Sequence, residues 1–168
     1  MGGRLCPYPA GDNEHAVVLW YDKTYAKNIT VFSRRFNRQD PKYYMHLYVH
    51  SLITLDNSLK VDFYFYQFLT NRYRPSFVEL HFKLCDMVKY DELFGAELQR
   101  SVGDLTCPFP PGEYHLHNLS FQYVPKSFPF VKGRIYCNVS LNVGGVTKLI
   151  ANGSSDMEIK VARIKNKH

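Results

Sequence analysis

The sequence predicts an all-β fold, an antiparallel immunoglobulin-like sandwich of two sheets with one short helical insertion. Apolar and polar residues alternate in several runs of the 168-residue chain, as they do in strands with one buried face. Turn-forming residues separate these runs at the short intervals typical of antiparallel sheets. Aromatic residues make up 15% of the chain, which excludes a disordered protein. We expect one domain over residues 1–168.

The clearest strands are predicted at 60–65, 77–84 and 134–143. In the first of them, Val61, Phe63 and Phe65 share one face. Further strands are expected near 15–20, 27–36, 43–55, 113–123, 146–151 and 157–164.

Turns and one helix connect the predicted strands. Loops are expected at 38–41, 55–58 and 71–75, a hairpin at Gly144-Gly145, and another turn at 152–154. The one helix candidate covers residues 86–100.

The chain is basic, with 21 Lys and Arg against 15 Asp and Glu. Many basic residues fall into two clusters. They are Arg34, Arg35, Arg38 and Lys42, and then Lys160, Arg163, Lys165 and Lys167. Such clusters can meet anionic lipid headgroups or another polyanion, although a solvated surface is the commoner explanation. No nucleic-acid-binding motif accompanies them, so no nucleic-acid partner is expected.

Cysteines and glycosylation motifs favour an exported protein. The chain has four cysteines and no C-x-x-C pair of the kind that binds zinc. Four N-x-[ST] motifs mark Asn28, Asn118, Asn138 and Asn152 as glycosylation acceptors. The first residues lack a signal-peptide pattern, which taken literally would indicate the cytosol. We nevertheless predict a secreted protein, with Met1 opening the mature region after removal of a signal peptide.

Motifs of catalysis are missing from the sequence. It contains no G-x-S-x-G, H-E-x-x-H, phosphate-binding loop or dinucleotide-binding motif. His46 and His50 share one strand face, and His115 and His117 share another, but no carboxylate or thiolate cluster accompanies either pair. We therefore interpret them as solvent-facing. The sequence predicts no enzyme, no cofactor and no metal site.

The stretch 105–143 carries an ordered set of motifs. It contains Cys107-Pro108-Phe109, then Gly112-x-Tyr114, an aromatic loop with prolines, and Gly133-Arg134-Ile135-Tyr136. Upstream stands the element 82–86, Phe-Lys-Leu-Cys-Asp. Together these motifs resemble the ML superfamily of lipid-recognition domains, which includes the ganglioside activator and insect chemosensory relatives. The resemblance extends from Phe82 to Ile164.

The resemblance implies a disulfide bond between Cys85 and Cys107. By elimination, Cys6 and Cys137 are then expected to form a second bond, and a Cys6 that is free or lies in a mobile tail is the alternative. The ganglioside activator has more cysteines, and one near its C-terminus corresponds to Met157 here. The bond that ties down that terminus therefore cannot be the same.

The resemblance also implies sheets that splay apart into a cup around an apolar cavity. The residues expected to line it are Val61, Phe63, Phe65, Leu80, Phe82, Leu84, Tyr114, Leu116, Phe121, Ile135, Val139 and Leu141. Phe109, Phe128 and Phe130, stiffened by neighbouring prolines, are expected at the mouth. For any single residue of the set, ordinary core packing is the alternative.

These expectations define two functional hypotheses. The first is a secreted, non-catalytic carrier of a lipid or other long-chain hydrophobic ligand, serving chemosensory recognition or glycolipid transfer. A membrane surface or a receptor would be its second partner. The alternative is a secreted protein-interaction sandwich, such as a receptor co-subunit, with a closed core.

Overall fold

The computed structural model of the protein describes residues 10–35, 37–39, 43–120 and 132–160. Within these ranges the chain forms eight strands and two short helices. In chain order they are β1 (Ala10–Tyr21), β2 (Ala26–Arg35), β3 (Tyr43–Ser51), β4 (Leu59–Leu69), β5 (Arg72–Lys83), α1 (Leu84–Tyr90), α2 (Gly95–Val102), β6 (Gly112–Leu119), β7 (Lys132–Val143) and β8 (Val146–Lys160).

The strands form two antiparallel sheets. One has five strands in the order β1-β8-β7-β4-β5, and the other has three in the order β2-β3-β6. This arrangement confirms the predicted all-β sandwich of two sheets. On β4 the predicted alternation holds, because Val61, Phe63 and Phe65 are buried while Asp62 and Tyr64 are less so.

The two ends of the sandwich differ in their connections. The disulfide end holds the β1–β2 turn, the β7–β8 hairpin and the disulfide bond Cys85–Cys107. At the opposite end, β4 turns into β5 through Thr70 and Asn71. Both residues have positive φ, 49° and 59°, as a two-residue type I′ hairpin requires. The predicted loop 71–75 therefore shrinks to a tight turn, and Pro75 lies in edge strand β5, where proline is tolerated.

The predicted helix 86–100 is two helices joined by a short link. The carboxylate of Asp91 accepts hydrogen bonds from the backbone N–H groups of Phe94, at 2.7 Å, and Gly95, at 2.9 Å. A Cβ atom at Gly95 would lie 1.7 Å from the carbonyl oxygen of Met87. Glycine at this position therefore lets α2 start against the end of α1, and Asp91 caps it there.

The last two predicted strands are one continuous strand. β8 passes through Asn152, Gly153 and Ser154, where the sequence predicts a turn. A Cβ atom at Gly153 would lie 2.8 Å from the carbonyl oxygen of Val17 in β1. The glycine therefore serves the close approach of β1 and β8 beside a register shift between them.

The larger of the two described clusters of buried residues lies between the five-stranded sheet and the helices. The ring of Phe94, in the link between the helices, stacks on Phe63 at 4.0 Å between ring centroids. Phe82 meets Phe63 edge-on at 6.2 Å. Burying one such side chain contributes about 1.5–3 kcal/mol. The buried residues of this cluster are Val61, Phe63, Phe65, Met87, Ile135 and Met157.

Candidate ligand cavity

An apolar cavity of about 380 Å³ lies between the two sheets. Ligand sites commonly measure about 300–1,000 Å³, so this space can hold a small molecule. The inner faces of both sheets and the helical segment contribute to its wall. Its apolar lining includes Ile29, Val31, Met45, Leu47, Val49, Leu116 and Leu119 from the three-stranded sheet, Val18, Val61, Phe63, Ile135, Val139 and Ile150 from the five-stranded sheet, and Leu84, Met87, Leu93, Phe94, Leu98 and Val102 from the helical segment.

Packed side chains close the cavity at the disulfide end. Leu59, Leu141 and Ile150 form a buried cluster there. Beside it, the backbones of Leu55 and Phe109 exchange two hydrogen bonds, of 2.8 and 2.9 Å. Phe109 is 6% exposed and faces the cavity, so it belongs to the floor.

The structure brings together seven of the twelve residues predicted to line a cavity. They are Val61, Phe63, Leu84, Tyr114, Leu116, Ile135 and Val139. Phe121 lies outside the described residues.

Four other predicted lining residues lie away from the cavity. Phe65, Leu80 and Phe82 pack into the cluster beneath the helices, and Leu141 packs into the floor cluster. The reason is the helical insertion, which covers the inner face of β5 and the neighbouring part of β4. Side chains on that face meet α1, α2 and their link.

Only Phe109 of the three residues predicted at the mouth is described by the structure. Phe109 lies in the floor at the disulfide end, where β6 begins. Phe128 and Phe130 lie outside the described residues, in the connection that leaves the other end of β6. The mouth predicted at Phe128 and Phe130 therefore stays a prediction.

Sequence reasoning missed the contribution of β2 and β3. Ile29 and Val31 alternate on β2, and Met45, Leu47 and Val49 alternate on β3. The signal was the same period of two that identified β4. It was overlooked because polar and aromatic residues between these positions weaken the contrast between the two faces.

Two carboxylates reach the wall of the cavity, and both have partners. Glu97 is 8% exposed, forms an ion pair with Arg100 at 2.9 Å, and accepts a hydrogen bond from the Ser120 N–H. Asp22 pairs with Lys148 at 3.3 Å. The hydrogen bond from the Thr24 N–H is the main reason why the pKa of Asp22 is lowered. Both acids are thus held by protein groups, and the remaining lining is almost entirely apolar.

Cys137 lines the cavity as a free thiol. Burial, with a smaller effect of the Asp62 carboxylate, raises the pKa of this thiol to about 12. The thiol is therefore protonated at neutral pH and behaves as a small apolar side chain.

The disulfide bond Cys85–Cys107 confirms the pairing that the resemblance implied, but the predicted bond between Cys6 and Cys137 is wrong. In the sheet, Cys137 of β7 lies opposite Gly153 of β8, and Gly153 lies opposite Val18 of β1. Strand β1 begins at Ala10, about 26 Å from Val18 at 3.3 Å per residue. Cys6 lies outside the described residues. It stands four residues before Ala10 in the sequence, and a chain of that length spans at most about 14 Å. Disulfide geometry requires Cα atoms within about 7 Å, which this reach does not give.

The four predicted glycosylation acceptors fall into two groups. Asn28 and Asn118 are exposed. Asn138 and Asn152 are half-buried and stand directly opposite each other on β7 and β8. Since opposed side chains lie about 5 Å apart, two glycans at this pair would collide.

The described histidines and the described members of the basic clusters are not among the residues that line the cavity. Arg34, Arg35 and Arg38 are exposed, Lys160 ends β8, and the other members of the two clusters lie outside the described residues. In the described part of the chain, no group of three or more His, Cys, Asp or Glu side chains is arranged to hold a metal ion. No helix in the same part is long and apolar enough to cross a membrane.

Residues 59–137 match a family described as "Protein of unknown function (DUF1091)". The match begins with β4, includes both helices and the disulfide bond, and ends within β7. No curated protein is significantly similar to the chain. The description of the matching family names no activity.

Proposed function

We propose that the protein is a secreted, non-catalytic carrier that holds a lipid or other long-chain hydrophobic molecule between its sheets. The observation that carries the proposal is the cavity. Closely packed sheets lie about 10 Å apart and fill the space between them with their own side chains. Here about 380 Å³ is left, with apolar residues on both sides. An apolar space of this size stays dry or binds an apolar ligand.

The size of the cavity sets the size of the ligand. At about 30 Å³ per heavy atom, the volume that a water molecule takes in the liquid, the space holds roughly a dozen carbon atoms. Burial contributes about 0.8 kcal/mol per CH₂ group, so such a chain gains about 10 kcal/mol before the losses of ordering. A long-chain ligand therefore buries about a dozen carbon atoms of its chain in this cavity, and a compact apolar ring system also fits.

The charges of the lining favour an uncharged ligand. No Lys, Arg or His is among the described lining residues, and the two carboxylates there are already paired. An anionic head group inside the cavity would have no counter-charge and would be costly to desolvate. The ligand is therefore a neutral molecule, or an amphiphile whose charged group stays outside.

Several observations support a carrier over the alternatives. A closed interaction module would have no use for an apolar space of this size. The only described cysteine in the lining has a high pKa and no imidazole beside it, which disfavours nucleophilic catalysis there. The disulfide bond is typical of exported proteins. By its resemblance to ML domains, the proposed carrier would present its ligand to a chemosensory receptor or deliver a glycolipid to an enzyme.

The first experiment is to identify what the protein carries. The protein is secreted from eukaryotic cells, purified without detergent and measured by native mass spectrometry, followed by organic extraction. We expect one apolar molecule per chain. A protein that carries nothing, and that does not take up the apolar fluorescent probe N-phenyl-1-naphthylamine, would overturn the proposal.

A matched pair of variants locates the binding. Leu47→Trp fills the cavity from β3, and Tyr48→Trp places the same indole side chain on the opposite face of the same strand. We expect Leu47→Trp to lower probe affinity at least 10-fold and Tyr48→Trp to leave it within 2-fold. Equal effects of the two substitutions would place the probe elsewhere.

A further inference from the structure

The outer face of the three-stranded sheet carries four histidines that the proposed carrier does not use. His46 and His50 lie on β3, and His115 and His117 lie on β6. The sequence suggested two separate pairs. In the structure β3 and β6 are neighbours with Tyr48 opposite His115, so alternation brings all four imidazoles to one face.

His46 and His117 meet across the two strands. Their Nδ1 atoms are 3.4 Å apart, and one ring donates a hydrogen bond to the other. Stacking holds both rings in place. His46 stacks on Phe32 at 5.0 Å with planes 11° apart, and His117 is nearly parallel to His115 at 6.2 Å. The two nitrogen atoms are therefore positioned before any ligand arrives.

The distance between these nitrogen atoms fits a tetrahedral metal ion. Zinc binds histidine nitrogen at about 2.0–2.1 Å, so two ligands at a tetrahedral angle lie about 3.3–3.4 Å apart. A tetragonal ion such as Cu²⁺ would need adjacent nitrogens about 2.8 Å apart. We propose that the Nδ1 atoms of His46 and His117 bind one Zn²⁺ ion on this face, with water completing the coordination.

The proton balance of binding is simple. In the metal-free protein one of the two Nδ1 atoms carries a proton and donates it to the hydrogen bond. When the ion enters, that proton moves through solvent to Nε2 of the same ring. Both rings stay neutral, and both offer an Nδ1 lone pair to the metal.

One nearby charge opposes the ion and offers a test. Arg34, on β2, lies close enough to His46 to act on it electrostatically. Its positive charge would repel Zn²⁺ as well. Arg34→Gln should therefore tighten zinc binding, by about 2- to 5-fold for a solvent-screened charge.

The decisive experiment is isothermal titration of the full chain with ZnCl₂. The protein is purified without a polyhistidine tag and freed of metal with EDTA. We expect one ion per chain, and an affinity that falls at least 10-fold in His46→Gln and in His117→Gln. His50→Gln is the matched control, because His50 lies on the same strand and face but points to Glu113 at 3.5 Å. Its affinity should stay within 2-fold of the unaltered protein.

Two outcomes would overturn the proposal. One is an equal loss of affinity in His50→Gln, which would indicate diffuse binding to surface imidazoles. The other is zinc binding that is no tighter in the unaltered protein than in His46→Gln.

A measurement on the unaltered protein covers the case that a variant fails to fold. In ¹⁵N spectra of the imidazole rings, zinc should shift the Nδ1 signals of two histidines and leave the other described ones in place. A uniform shift of all histidine signals, or no shift, would contradict the site.

Discussion

The inner faces of the two sheets have the same alternation of apolar residues but different neighbours. On the three-stranded sheet, Val31, Leu47 and Leu116 face the cavity. On the five-stranded sheet, the β5 side of the inner face is covered by the helical segment, so that Phe65 is 1% exposed. For both inner faces, the sequence predicts the same local structure, strands with one apolar side. The position of α1 and α2 decides which face packs and which face borders a space.

The position of the helices follows from where the chain inserts them. They enter directly after edge strand β5, and the disulfide bond between Cys85 and Cys107 returns the chain to the base of β6. The helices therefore lie between the free edges of the two sheets. They close the side of the sandwich between β5 and β6, and the cavity lies next to them, between the two sheets.

The largest difference between the two faces should appear in stability. Phe65→Ala removes a fully packed side chain and should lower the free energy of unfolding by about 3–5 kcal/mol. Leu47→Ala truncates a wall that already borders a space, so fewer contacts are lost and the cost should stay below about 2 kcal/mol. Urea denaturation of the ligand-free proteins measures both values.

Ligand preference should change in the opposite sense. Leu47→Ala enlarges the cavity and should favour longer members of a series of neutral fatty alcohols, whereas Phe65→Ala should not. If Leu47→Ala costs as much stability as Phe65→Ala and leaves chain-length preference unchanged, the three-stranded sheet packs a closed core.

The next largest effect concerns the bond that holds the helical segment in place. Replacing Cys85 and Cys107 together by serine opens a loop with a sequence separation of 22. Chain entropy predicts a loss of about 3 kcal/mol for a loop of this length. Urea denaturation of the double variant checks the value. A loss below about 1 kcal/mol would mean that packing alone fixes the helices.

Local patterns predicted most of the strands. Alternation located β4, β5 and β7, and the Gly144-Gly145 pair predicted the hairpin before β8, because both signals depend on neighbouring residues only. The turn at 152–154 was wrong for a physical reason. Gly153 serves contact with β1, which lies far away in sequence.

The cavity could be predicted in kind but only partly in composition. Val61 and Phe82 have the same alternation and both pack in the cluster beneath the helices, yet only Val61 also lines the cavity. No local signal separates them, since the difference lies in the position of α1 and α2. Whether Cys6 can reach Cys137 likewise depends on the length of β1, and the number of cysteines in the sequence does not predict that distance.

Cys137 marks the border between the packed and the open part of the five-stranded sheet. With its pKa raised from 9.0 to about 12, the thiolate fraction at pH 8 falls by about three orders of magnitude. Iodoacetamide should therefore modify Cys137 at least 100-fold more slowly than free cysteine in the native protein, and rapidly in urea. Mass spectrometry of the modified peptide gives both rates, and a native peptide that joins Cys6 to Cys137 would contradict the free thiol.

The smallest effect is expected on the outer face of the five-stranded sheet, where charged groups meet water instead of packed side chains. His81 lies between two carboxylates, with Nδ1 at 2.6 Å from Asp62 and Nε2 at 3.1 Å from Glu79. The hydrogen bond with Asp62, followed by that with Glu79, raises the pKa of His81 above its ordinary value of 6.5. The charged ring is thus favoured in the folded state. Its contribution to stability is complete below about pH 6.5 and is lost as the pH rises through the higher pKa of the folded protein.

His81→Gln should remove this dependence on pH. The difference in Tm between the unaltered protein and the variant should be largest near pH 5.5 and should shrink towards pH 8.5. It should also be small and decrease with added salt, because the ring is half-exposed and its ion pairs are screened. Glu79→Gln is the control, since it leaves the shorter bond to Asp62 and should remove only part of the difference. A difference that is constant, or that grows with pH, would mean that His81 is neutral in the folded protein and that the two carboxylates act on it less than their distances imply.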